Sequence, residues 1–113
     1  MELEEDIAEG VTVLAPVGRV DSANARQFEA AVLARIDQAA GAVLIDLGRL
    51  GYISSAGLRV VLLAAKRQQA AGRRFALCAP SPEIREVLEV SGFSKIITIY
   101  DAKPAALSGL QSN

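Results

Sequence analysis

The chain has no histidine and a single cysteine among its 113 residues. Without an imidazole the commonest general base is missing, and every triad built on histidine is excluded. One thiol and no imidazole leave a transition-metal site without its usual ligands, and one cysteine cannot close an internal disulfide. Aspartate or lysine could still move protons, but no pair of carboxylates is spaced suggestively. The chain reads as a protein that is not a hydrolytic enzyme. No apolar run approaches the roughly 18 residues of a membrane span. The opening MELEEDIAEG has neither a basic start nor an apolar core, so no signal peptide is expected. Twelve basic against thirteen acidic residues leave a net charge of −1. That balance offers no cationic field for nucleic acid and no basic cluster for anionic lipid. There is no Gly-x-Gly-x-x-Gly after a strand and no Gly-Lys-Ser/Thr, so dinucleotide and P-loop sites are absent as well. No cofactor is expected, no repeat or linker interrupts the chain, and the cytoplasm is the expected compartment.

What remains is an ordinary globular composition, 51% apolar and 22% charged, at the length of one domain spanning residues 1–113. Residues 2–7 alternate weakly and suit an acidic edge strand. Gly10 makes a turn, and residues 11–17 read as the second arm of a hairpin, loosening where Pro16 cannot donate a ladder bond. Gly18 to Ser22 lead into a helix capped by Asp21 or Ser22. That helix spans about residues 23–39, with Phe28, Val32 and Ile36 as its spine and Gly41 at its end. Phe75 to Ala79 form a core strand in which Cys78 is a buried small hydrophobe, since no basic residue or CxxC spacing activates it. Ser81-Pro82 start a short helix with Ile84, Val87 and Leu88 on its inner face, stopped by Gly92. Residues 96–100 make a last strand, and 105–110 one or two final helical turns. Strands alternating with helices after a hairpin predict an α/β fold with a mixed, mainly parallel sheet.

The organising stretch is Val43 to Arg67. Val43, Leu44 and Ile45 form a continuous apolar run suited to a strand covered on both faces. Gly48 and Gly51 punctuate a loop. Ser54 and Ser55 then open a helix that places Leu58, Val61, Leu62 and Ala65 on one stripe and closes at Gly72 as its C′ residue. Serine is a strong N-cap, worth about 1 kcal/mol. One cap uses one hydroxyl, however. If Ser54 is the cap, Ser55 stands at the first helical position with its oxygen free.

The segment from Asp46 to Leu58, DLGRLGYISSAGL, resembles the signature of STAS domains, the anti-sigma factor antagonists: a strand ending in Asp-Leu, a short loop, an aromatic, an aliphatic, then Asp-Ser-Ser/Thr-Gly-Leu. Ser54 stands where that pattern has aspartate, and Ala56 takes the second Ser/Thr place. Gly18 and Asp21 match the Gly-Glu-Leu-Asp that opens the first helix of the family, with Arg19 in place of glutamate. Pro80 to Phe93 resembles the segment after the family's fourth strand.

The resemblance spans essentially the whole chain. It implies the STAS fold: an N-terminal hairpin and a four- to five-stranded sheet covered by about four helices. It also implies a phosphorylation site at Ser55, or at Ser54 as the alternative, and a partner-binding surface of Asp21, Ser22, Ser54, Ser55, Gly57 and Arg59. The partners implied are an anti-sigma factor that is also a serine kinase, and a phosphatase of the PP2C type that resets the switch. Arg59, at i+4 from Ser55, is placed to approach a phosphate there. A second reading keeps the fold without the switch, as a non-phosphorylated subunit such as those of lipid-transport ABC systems. A third, a small-ligand binder using the serine loop as an anion nest, lacks a histidine, a metal site and a phosphate-loop lysine.

Overall fold

The computed structural model describes residues 1–111. The hairpin comprises β1 (Glu2–Ala8) and β2 (Val11–Val20), paired antiparallel from Ala8↔Val11 to Glu2↔Val17. There follow α1 (Ala25–Gln38), β3 (Val43–Asp46), β4 (Leu50–Ile53), α2 (Ser55–Ala70), β5 (Phe75–Cys78), α3 (Pro82–Val90), a 3-10 turn (Phe93–Lys95), β6 (Thr98–Tyr100) and α4 (Lys103–Gln111). The sheet runs β1-β2-β3-β5-β6, and every pairing after the hairpin is parallel. A sixth strand, β4, pairs parallel with the end of β2 across a register shift between Gly18 and Arg19.

The sheet thus has six strands rather than four or five. Residues 50–53 read as loop because glycine sits among them. In the fold Leu50 and Ile53 are buried while Gly51 and Tyr52 are exposed, and the backbone finds its ladder on the far half of β2. β2 is accordingly longer than residues 11–17, and pairing does not loosen at Pro16. Thr12 N and Gly18 N donate to Ala42 O and Arg49 O (3.0 and 3.1 Å). By the alternation of a strand, the nitrogen of Pro16 faces that same side. It falls opposite the break between β3 and β4, where no ladder bond is needed.

Two cores flank the sheet. Val43, Ile45, Leu14 and Leu77 face Phe28, Val32 and Ile36 of α1, Leu58, Val61 and Ala64 of α2, and Ile84 and Leu88 of α3. The alternate residues Val11, Val13, Leu44, Ala76 and Cys78 face Ala106, Leu107 and Leu110 of α4. This period-2 division is why the central runs are apolar at every position.

Several element boundaries move for local reasons. The N-cap position of α1 is Asn24 rather than Asp21 or Ser22, and no side chain caps the helix there. The buried stripe of α2 is Gly57, Leu58, Val60, Val61, Ala64 and Gln68, with Leu62 and Ala65 only half-buried. Val87 lies at the edge of α3 and is exposed. β6 starts at Thr98 because Ile96 N and Ile97 N bond Phe93 O (3.0 and 2.8 Å), closing the preceding turn instead of a ladder. α4 begins at Lys103, two residues before the expected 105. The caps at Ser81 and Gly72 form as expected: Ser81 accepts from Ile84 N at 3.2 Å. Gly72 (φ 72°) donates to Gln69 O while Arg73 N reaches back to Gln68 O at 2.9 Å, a Schellman closure.

Candidate functional site

The strands β2 and β4 end side by side, with Arg19↔Tyr52 and Val20↔Ile53 in register. Ser54 N donates to Val20 O at 2.8 Å, carrying the pairing one residue past β4. The chain leaving β2 at Asp21 and the chain leaving β4 at Ser54 therefore emerge together, although 33 positions separate them in sequence.

Ser54 is the N-cap of α2. Its backbone is extended (φ −85°, ψ 173°), its hydroxyl accepts from Gly57 N at 3.2 Å, and its carbonyl accepts from Leu58 N at 2.9 Å. Ser55 occupies the first helical position, exposed, and its hydroxyl has no hydrogen-bond partner among the described residues. The two serines thus divide: Ser54 is consumed by the fold and Ser55 is presented. The positive end of the α2 dipole and the amides of its first turn lie beneath Ser55, where added negative charge is tolerated.

Asp21 is half-buried and holds the turn before α1. Its Oδ1 accepts from Ala23 N (3.0 Å) and Asn24 N (3.3 Å), and its own amide donates to Asn24 Oδ1 at 3.0 Å. Asn24 Nδ2 donates to Arg19 O at 3.0 Å, closing the turn onto the end of β2. Asp21 is therefore a turn builder beside the serines rather than a helix cap, while Ser22 is exposed next to it. Gly57 does not belong to the surface with which it was grouped. It is buried, and a Cβ there would stand 2.7 Å from both Ile53 Cγ1 and Val20 Cγ1. Its role is to let α2 seat against β2 and β4. Arg59 does reach the surface, 72% exposed at its side chain, and its guanidinium lies 3.9 Å from Glu29 Oε1 of α1 rather than at Ser55.

Sequence reading missed one pair at this face. The Arg19 guanidinium carbon sits 4.5 Å from the centroid of the exposed Tyr52 ring, a cation–π contact between cross-strand partners. The available signal was only an aromatic two residues before the serines; its pairing with Arg19 needs β4 beside β2. Cys78 lies in the other core, under α4. Burial first, then the charge and hydrogen bond of Asp46, push its thiol up to about 12. Among the described residues no cluster of three or more Cys, Asp or Glu could hold a metal ion, and no helix is long and apolar enough to cross a membrane.

The sequence matches the STAS domain family over residues 2–106. It is 43% identical over 112 residues to a Bordetella bronchiseptica protein named as an anti-sigma factor antagonist, BtrV, covering 99% of this chain and 97% of that one. The fold superposes with a TM-score of 0.91 on the crystal structure of a Thermotoga maritima protein similarly named, at 23% identity and covering 97% of this chain and 95% of that one. It superposes at 0.73 on the Bacillus cell fate determinant SpoIIAA in its phosphorylated form, at 22% identity and covering 97% and 100% of the two chains. The chain belongs to the STAS domain family, with anti-sigma factor antagonists as its relatives.

Proposed function

We propose that the chain is an anti-sigma factor antagonist whose state is set at Ser55. With Ser55 bare, it holds an anti-sigma factor serine kinase against the face of Asp21, Ser22, Ser54, Ser55 and Arg59, leaving a sigma factor free. The kinase transfers the γ-phosphoryl group of its ATP to Ser55 Oγ, the hydroxyl proton is lost, ADP leaves, and the modified domain is released. A PP2C-type phosphatase restores the hydroxyl. The domain contributes a surface and an acceptor oxygen and catalyses no step itself.

The observation that carries this reading is the division of labour between the serines. Ser54 Oγ is tied to Gly57 N, while Ser55 Oγ is exposed at a helix N-terminus that tolerates an anion. The names of the relatives support the same role, and SpoIIAA lends the precedent of a phosphorylated form on this fold. A phosphate adds about −1.5 to −2 charge and three acceptor oxygens, which a partner shaped for a hydroxyl would have to desolvate. A loss of about 3 kcal/mol weakens binding more than about a hundredfold, so the switch needs no refolding.

The test is peptide mapping of residues 46–67 from the protein isolated from its own cells, paired with kinase binding by the Ser55→Asp and Ser55→Ala proteins. Phosphate at Ser55, loss of binding in the aspartate variant and retention in the alanine variant are expected. Phosphate at Ser54 would move the acceptor by one residue. A Ser55→Asp protein that binds as tightly as the parent would sink the switch and favour a non-phosphorylated subunit, recognisable by co-purification with a permease and ATPase.

A further inference from the structure

We infer that Arg59 is a phosphate clasp: when Ser55 carries a phosphate, the Arg59 guanidinium leaves Glu29 and closes on the phosphate oxygens one helical turn away. The inference rests on Ser55 being the modified residue and concerns what holds the modified state.

Two observations and two physical rules carry it. Ser55 and Arg59 stand at i and i+4 on the exposed side of α2, a spacing that puts their Cβ atoms about 5–6 Å apart. Helical side chains lean toward the N-terminus, so Arg59 is inclined toward the turn that begins with Ser55. Among the described residues the present hold on Arg59 is the loosest ion pair: 3.9 Å to Glu29 with no hydrogen bond, against 2.7 Å for Arg35–Glu5, 3.0 Å for Arg67–Asp37 and 2.6 Å for Arg85–Asp101. A phosphate outcompetes a carboxylate at that range, because it carries more charge and accepts the planar guanidinium fork in two bonds.

The other groups at this face do not compete for the position. Arg19 is stacked on Tyr52, and Asp21 has turned one carboxylate oxygen to the amides of Ala23 and Asn24. Ser54 caps with a neutral hydroxyl and occupies only the amide of Gly57, so the cap neither repels the phosphate nor takes the amides of Ser55 and Ala56. Glu29 is the acid that opposes the exchange, and α1 gives it up without a hydrogen bond to break. Clasped in this way, the phosphate is held over its own helix and its ester is slower to reach a phosphatase.

The test uses full-length protein with phosphoserine encoded at position 55 during translation, so it does not depend on a kinase. The phosphate is titrated by phosphorus NMR through its second ionisation, near pH 6. Arg59→Gln is expected to raise that pKa by about half a unit, roughly a threefold gain in proton affinity, since the clasp favours the dianion. Arg59→Lys should fall between, and Glu29→Gln at or below the parent. A PP2C-type phosphatase should dephosphorylate the Arg59→Gln protein several times faster. An Arg59→Gln protein whose phosphate titrates as the parent's does would overturn the clasp while leaving Ser55 as the modified residue untouched. A clasp found in the encoded protein, with Ser55 never modified in cells, would instead remove the switch and leave the clasp as chemistry without use.

Discussion

Gly57 sits in the first turn of α2 with branched side chains of Ile53 and Val20 closing over the place where a Cβ would stand. Alanine normally strengthens a helix interior by about 1 kcal/mol over glycine. Here it would have to displace two buried β-branched residues, an overpacking that costs about 1–3 kcal/mol. A Gly57→Ala protein is therefore expected to be net destabilised, measured by urea unfolding, and to weaken partner binding only as far as the tilt of α2 is disturbed. Cys78 makes a different residue-scale statement. Its thiol is pushed from 9.0 up to about 12, first by burial and then by Asp46. The folded state binds that proton more tightly than the unfolded chain. The associated stability is present below pH 9 and is lost as the pH climbs from 9 toward 12. Replacing Cys78 by alanine is expected to flatten the alkaline limb of stability against pH, and a thiol reagent at pH 8 should leave the native protein unlabelled.

At the scale of elements, the start of α2 shows what could and could not be read from residues. That one serine of the pair caps and leaves the other hydroxyl free was legible because capping is local; that Ser54 is the cap is given by the fold. The consequence is a clean separation between neighbours: Ser54→Ala should cost about 1 kcal/mol of stability, and Ser55→Ala less than about 0.5, in the same thermal melt. The strand β4 was not legible, because its four residues contain a glycine and its partner is the end of β2, which no local pattern announces. α1 starts without a side-chain cap because Asp21 spends its carboxylate, and Asn24 its amide, on the turn before it. The contact of Arg59 with Glu29 depends on how α1 packs beside α2, and spacing within one helix cannot supply it.

Across the whole molecule, the alternating strands and helices and the opening hairpin sufficed for the α/β class and the parallel sheet. They did not divide the helices between faces. α1, α2 and α3 cover one side of the sheet and α4 the other, an assignment fixed by which of two consecutive apolar residues in a strand points to which side. Nor did they show how deeply the site depends on assembly. The hydrogen bond from Ser54 N to Val20 O is the last rung between two strands far apart in sequence. Asp21 meets the serines only once β2 and β4 are side by side. An unfolded or newly made chain carries Ser55 without the face around it. On the proposed switch at Ser55, a synthetic peptide of residues 46–67 should accordingly be a far poorer kinase substrate than the folded domain, compared by initial rate at equal concentration. If so, immature copies of this protein stay out of the signal: only a finished molecule can be counted, and the cell's tally of modified chains is also a tally of folded ones.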